Sequence, residues 1–346
     1  MLESSDEVAS SQTEAEPEEI RVEPAREPVI EKPRPEPRVR KIDFVKRRNL
    51  FFLISLIIII PGIFFMATRG FLLGIDFAGG TEFALSFNNN PSALQVQNAV
   101  AAENIQGNVI SAAGTLCPSN STCYIIRAIP LSPAQQASVV DHLQKTLGPG
   151  AVQSVQEVGG TIAGETIEFA LLAIVLASVA ILFLLMIRFR NVPGGWRAGF
   201  QFGGSALAAL LHDVFLLTGV FSIIGTVLHA RIGEIDTLFV TAVLTVVGFS
   251  VHDTIVVFDR IRENLRVSQR LSFEQVVNLS IMQTAARSII TSFTVVLVLA
   301  AILISGGDTL KGFALALMIG IVSGTYSSIF NAAPLLVVWR KLQPLR

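Results

Sequence analysis

"LFFLISLIIIIPGIFFMAT", residues 50–68, runs nineteen residues without a charge. At about 1.5 Å of rise per residue, a helix of that length crosses roughly the 30 Å hydrocarbon core of a bilayer. Five further stretches, mostly apolar, are also long enough to span, at 166–187, 203–227, 237–258, 288–305 and 312–338. Composition agrees: 51% of the 346 residues are hydrophobic and 15% charged, too apolar and too sparsely charged for an ordinary soluble domain. The expected fold class is a polytopic α-helical membrane protein with six transmembrane helices. Lys46, Arg47 and Arg48 stand before the first stretch like the basic start of a signal peptide. No small-residue cleavage site follows, so the stretch reads as an uncleaved anchor.

The formal net charge of −1 hides an uneven distribution. Lys46–Arg48, then Arg188, Arg190 and Arg197, then Arg260, Arg262, Arg266, Arg270 and Arg287, and finally Arg340, Lys341 and Arg346 fall on one side of the expected topology. Opposite them are two short loops bearing Arg231 and Lys311. Because loops rich in Lys and Arg stay cytoplasmic, both termini are expected in the cytoplasm of a bacterial cell. The chain is then a multi-pass protein of the cytoplasmic (inner) membrane, its large loop periplasmic.

Five segments follow. Residues 1–40 are rich in Pro, Glu and Arg and poor in apolar residues, which predicts a disordered cytoplasmic tail. Residues 41–69 make the first transmembrane helix. Residues 70–162 form a soluble domain whose pattern reads strand 81–87, helix 91–103, strand 108–113, strand 123–130, helix 132–147 and strand 151–158. Ser92 and Ser132 suit helix N-caps, and Gly107 and Gly148 follow the helix ends. A β-α-β-β-α-β order gives a small ferredoxin-like α+β sandwich between helices one and two. Residues 163–340 hold a five-helix bundle and 341–346 a cytoplasmic C-terminus. Within the bundle, residues 260–286 read as a basic amphipathic segment lying along the cytoplasmic interface, with Phe273, Val276, Val277 and Leu279 to Met282 on its apolar face. Asp259 with Arg262, and Glu263 with Arg266, stand three apart as helical ion pairs do, which supports a continuous helix emerging from the bilayer.

Chemistry concentrates inside the bundle. "VVGFSVHDTIVVFDRIREN", residues 246–264, keeps His252 and Asp253 in its apolar part. Burying such a carboxylate costs roughly 2.5–3.5 kcal/mol on insertion scales unless it faces protein or water. Thr241, Thr245, Gly248 and His252 form one stripe beside it, expected to face the bundle interior. Burial penalises the charged form of a carboxylate, which fits Asp253 to take up and release protons. Arg287, with Thr291 and Thr294 on its face, is the expected ion-pair partner, against the simpler reading of a positive-inside arginine. "LLHDVF" repeats the theme with His212 and Asp213 closer to mid-membrane, preceded by Gly204, Ser205, Ala208 and Ala209. The sixth helix carries Gly320, Gly324, Ser327, Ser328 and Asn331 on one face, read as packing. Cys117 and Cys123 bracket a polar turn and fit either a hairpin disulfide or two free thiols. No nucleotide-binding loop, His-Glu-x-x-His pair or four-ligand Cys/His set occurs, so no cofactor or metal is expected and an ion gradient is the expected energy source.

"GIDFAGGTEF" at 74–83, "VGFSVHDTIVVFDRIREN" at 247–264, "RSIITS" at 287–292 and "GFALALMIGIVSGTYSSIF" at 312–330 together resemble the SecF family, the smaller subunit of SecDF protein-export complexes, related to resistance-nodulation-division transporters. The resemblance covers nearly everything after residue 41. It implies a partner, SecD, and a role in using the proton motive force to draw preproteins outward after SecA and SecYEG have begun translocation, with YajC and YidC as further associates. It implies membrane lipid and protons as the other interacting species, no nucleic acid and no enzymatic reaction. The family's membrane aspartate matches Asp253 and its membrane arginine Arg287. No second copy of the domain-plus-bundle pattern occurs in this chain, which by itself calls for a partner. Rival readings are half of a small-molecule efflux transporter, an intramembrane aspartyl protease using Asp213 and Asp253, and a structural scaffold.

Overall fold

The computed structural model describes residues 43–102, 107–112, 121–268 and 270–344. Six spans are long and apolar enough to cross a membrane. They are α1 (Arg48–Arg69), then, beyond the sheet domain, α5 (Gly160–Phe189), α6 (Gly195–Thr226), α7 (Thr237–Val267) and α8 (Phe273–Ser305), and last a composite span. That last span runs as α9 (Asp308–Ser327), a π turn (Ser328–Ala332) and α10 (Ala333–Leu342).

The sheet domain follows a four-residue helix, α2 (Ile75–Ala78), and contains β1 (Gly80–Phe87), α3 (Ala93–Ala102), β2 (Gly107–Ala112), β3 (Thr122–Ala128), α4 (Pro133–Leu147) and β4 (Gly150–Val158). Strand order is β2-β3-β1-β4 with every neighbouring pair antiparallel, the arrangement of a ferredoxin-like sandwich. Phe83, Leu85 and Phe87 of β1 and Tyr124 and Ile126 of β3 pack on Val96 and Val100 of α3 and Val139 and Leu143 of α4. Ser132 and Gln135 form a capping box at the start of α4, ahead of Pro133, and Gly148 ends that helix at φ 100°. Ser92 accepts from the Gln95 backbone N–H at 3.4 Å. Cys117 lies outside the described residues, and so does its pairing with Cys123, which is buried on β3.

Because α1 enters the domain and α5 leaves it, one end of the bundle is its domain end and the other its far end. α6 packs against α1, α5, α7 and α9, and α9 in turn against α7 and α8, so α6 and α9 form the interior. Small residues permit this closeness. A Cβ on Gly62 would meet the Gly219 Cα at 2.9 Å where α1 crosses α6, and one on Gly324 would meet the Ser250 Cβ at 2.9 Å between α9 and α7. α1 and α5 keep large apolar side chains such as Ile57 and Phe169 exposed, as helices in contact with lipid do.

Residues 260–286 depart from expectation in where their apolar face packs. α7 continues to Val267, the continuous helix that the ion-pair spacing supports; the chain then turns, and α8 starts at Phe273 and runs unbroken to Ser305. Val276, Val277, Asn278, Leu279, Ser280 and Ile281 are buried. Their apolar face meets the bundle itself, and Asn264 donates to Ser280 Oγ at 2.9 Å across the hairpin. Arg262 pairs with Asp259 at 3.2 Å as the spacing predicts, but Glu263 pairs with Arg260 at 2.6 Å instead of with Arg266.

Candidate functional site

Two buried carboxylates sit in the bundle interior, on either side of α9. Asp213 of α6 is 1% exposed. Its Oδ2 accepts from Ser250 Oγ (2.7 Å) and Ser327 Oγ (2.6 Å), and its Oδ1 from Ser323 Oγ (2.7 Å), with His212 Nδ1 at 3.0 Å. Serines from α7 and α9 thus close a cage around an α6 carboxylate. Each oxygen has two partners, so the carboxylate is held from three helices.

Asp253 of α7 is 3% exposed and much more loosely held. Thr325 Oγ1 of α9 approaches its Oδ2 at 3.3 Å, while the same hydroxyl donates to its own helix at Ile321 O (2.9 Å) and meets Ser292 Oγ of α8 at 2.5 Å. Ser288 of α8 also faces this carboxylate. A protonated Asp253 can donate to Thr325 Oγ1 without displacing anything. The two carboxylates therefore differ in how tightly they are held, and no hydrogen bond joins them.

Their depths differ less than the sequence predicts. Ser250, which reaches Asp213, precedes Asp253 by three residues, about 4.5 Å along a helix. The separation is lateral, because Ser323 and Ser327 point to one side of α9 and Thr325 to the other.

Two expectations fail here. Thr241, Thr245, Gly248 and His252 do not face the interior: all four are exposed, and Thr241 and Thr245 donate to carbonyls one turn back in their own helix. The opposite face of α7, with Ala242, Val246, Ser250 and Asp253, is the buried one. Arg287 does not meet Asp253. It is exposed and makes no ion pair among the described residues. On α8 the inward positions are Thr284, Ser288 and Ser292, four apart, and Arg287 stands one residue, about 100°, off that line. What the sequence reading missed is α9: Ser323, Thr325 and Ser327 supply most of the hydroxyls, and their residue types at a period of two within a helix look like packing.

A second cluster joins the sheet domain to the start of α7. Arg127 of β3 donates to Glu82 Oε2 of β1 (2.7 Å), to the Leu73 carbonyl (3.0 Å) and to Glu234 in the loop before α7. Arg231, in a single 3₁₀ turn, approaches Glu82 at 3.4 Å. Burial pushes the Glu234 carboxyl above the usual range, against the pull of Arg127. Alongside, Gly74 N–H donates to Ile235 O and Ile235 N–H to Leu72 O, each at 2.8 Å, and Asp76 accepts from Thr237 Oγ1 at 2.6 Å. Asp236 caps α7 through the Phe239 N–H (2.7 Å). Its carboxyl is raised by burial and by the nearby Asp76 charge. The "GIDFAGG" stretch now has a physical reading. A Cβ on Gly74 would sit 2.8 Å from Glu234 Oε1, and Gly79 (φ 68°) and Gly80 (φ 111°) make the turn into β1, where a Cβ on Gly80 would strike the Ala128 carbonyl.

Comparison with known proteins places this architecture. Residues 64–90 match the SecD/SecF GG motif and residues 139–342 match the C-terminal region of the protein export membrane proteins SecD/SecF. The chain is a multi-pass membrane protein of the SecD/SecF class. It is 42% identical to the protein translocase subunit SecF of Thermobaculum terrenum, over 88% of this chain and 96% of that one. The Anaerolinea thermophila SecF is 40% identical over 86% and 94%. The chain belongs to the SecF family of protein translocase subunits. It also superposes on the crystal structure of SecDF from Thermus thermophilus, a translocon-associated membrane protein, with a TM-score of 0.75 and 28% identity over 89% of this chain, spanning 40% of the length of that one.

Proposed function

We propose that this chain is the SecF half of a two-part accessory complex that uses the proton motive force to promote protein export after SecA and SecYEG have begun it. The reading places it in the bacterial inner membrane with both termini cytoplasmic and the sheet domain outside. SecD supplies the other half, and the part of the SecDF crystal structure that this chain does not span leaves room for one. The observation that carries the mechanism is the contrast between the two buried carboxylates. Asp213, caged by three serines and His212, holds α6, α7 and α9 together. Asp253, with one long hydroxyl contact, is the group that changes charge.

The path from that change to work is short. Asp253 and Thr237 lie on one continuous helix, and Thr237 is bound to Asp76 at the base of the sheet domain. A displacement of α7 along its axis therefore reaches the domain that would hold the emerging chain. Arg287 stays available as the cation for ionised Asp253, since a rotation of α8 by one residue exchanges it for Ser288. Asp253→Asn in cells tests this: gradient-dependent late export of a secreted reporter is expected to fail while the partner still co-purifies. Normal gradient-driven export in that variant rejects the assignment.

A further inference from the structure

At its far end the α7–α8 hairpin opens into a cleft of ≈ 790 Å³, and of the residues that line it only Arg287 has a role above. Arg260, Arg262 and Arg266 of α7 and Arg287 of α8 line it, with Asp259 and Glu263 as the carboxylates. Arg260 is held by Glu263 and by Gln283 Oε1, each at 2.6 Å. Arg262 shares Asp259 with Arg188 of α5. Asn264 fixes the same Gln283 at 2.9 Å, so the walls are tied together. Arg266 and Arg287 remain. Both are exposed, and neither has a carboxylate partner among the described residues. Two uncompensated guanidinium groups therefore face one cleft from two helices.

The surface next to it has the opposite character. From Arg287 toward the middle of α8, Ile290, Phe293 and Leu297 are exposed at helical spacings, at 63%, 60% and 54%. Cations followed by an apolar ridge match the two ends of an amphiphile. Guanidinium forks suit phosphate oxygens, and basic pockets between spanning helices take anionic headgroups. Free phosphate would use the arginines and leave the ridge idle. We propose that this cleft is a binding site for an anionic phospholipid, its phosphate between Arg266 and Arg287 and an acyl chain along Ile290, Phe293 and Leu297. A phosphate held there would draw on the same Arg287 that the proposed function offers to ionised Asp253, so the test below rests on Arg266.

The test uses the chain purified with its partner subunit, in nanodiscs of phosphatidylcholine containing phosphatidylglycerol as the minor lipid, with retained lipid identified by native mass spectrometry. Phosphatidylglycerol is expected to be retained selectively, and Arg266→Gln to weaken retention about five-fold, the effect of one interfacial charge. Arg266→Lys should recover part of it. Arg197→Gln, an exposed arginine at the same end but outside the cleft, should change nothing. Equal losses in the Arg266 and Arg197 variants would mean general surface attraction and overturn the site. So would indifference to lipid type, displacement of the lipid by inorganic phosphate alone, or cross-linking of an Arg266→Cys variant to the partner subunit, which would make the cleft a protein contact.

Discussion

Removing Arg127 should unfasten the sheet domain from the bundle. Its side chain is 13% exposed and its partners Glu82 and Glu234 are 7% and 11% exposed, so Arg127→Met strands two enclosed carboxylates beside each other. Breaking a buried pair from one side costs about 3–5 kcal/mol. Arg231 remains within 3.4 Å of Glu82 and 3.8 Å of Glu234 and takes up part of that, which places the expected cost near the lower end, about 3 kcal/mol, or about 100-fold in a local opening equilibrium. The reporters are the amides of Gly74 and Ile235, which are bonded across the junction. Hydrogen exchange on the purified complex should show both losing about two decades of protection, while amides in the core of β1 keep theirs. Pairing Arg127→Met with Glu234→Gln should cost less than the sum of the two alone, because the double variant no longer strands that carboxylate. A change of less than about three-fold at Gly74 and Ile235, or full additivity in the double variant, refutes the reasoning.

Two further outcomes can be checked by thermal unfolding of the complex. Asp213→Asn replaces an acceptor oxygen by an amide that faces donors, and with charge-assisted bonds worth about 1.5–3 kcal/mol each the variant should melt clearly below the parent; equal melting would mean that the serine cage contributes nothing. For Asp236, whose carboxyl is raised by burial and by Asp76, the folded state holds the proton more tightly than the unfolded one. Its contribution is complete below the ordinary aspartate value of about 3.9 and is lost as pH rises through the elevated value. Asp236→Asn keeps the cap on the Phe239 amide and should flatten the pH dependence in that window; an unchanged slope would assign it to other groups.

Most of the fold was legible because it rests on local rules. Mostly apolar runs the length of a bilayer core gave the six spans, and alternation with Ser132 and Gly148 as punctuation gave the strand and helix order of the domain. Hydrophobic periodicity misled where a helix has two plausible faces. The Thr241–His252 stripe is polar and continuous, yet the face with Asp253 won the interior because Ala242, Val246 and Ser250 let α9 approach more closely. Residues 260–286 read as an interfacial amphipathic segment because their charges are visible in sequence and the core that buries Val277 and Ile281 is not. The junction cluster was invisible for a different reason: Glu82, Arg127 and Glu234 are separated by 45 and 107 positions, and only the topology brings them together.

The π turn at Ser328–Ala332 has a consequence for how the last span can be built. A π turn carries one residue more than the α turn it replaces, so side chains beyond it are out of phase with those before it by about 100°. On the domain side, Ser323 and Ser327 keep station with Asp213. Within the turn Asn331 donates to Ser55 Oγ of α1 at 3.0 Å, and past it Leu336 and Val337 turn into the core. One helix thereby satisfies two neighbours whose angular demands disagree. Deleting a single residue there would leave the span long enough to cross the bilayer but would set its two halves to the wrong clock, which makes residue count, more than residue identity, the quantity under constraint in that segment.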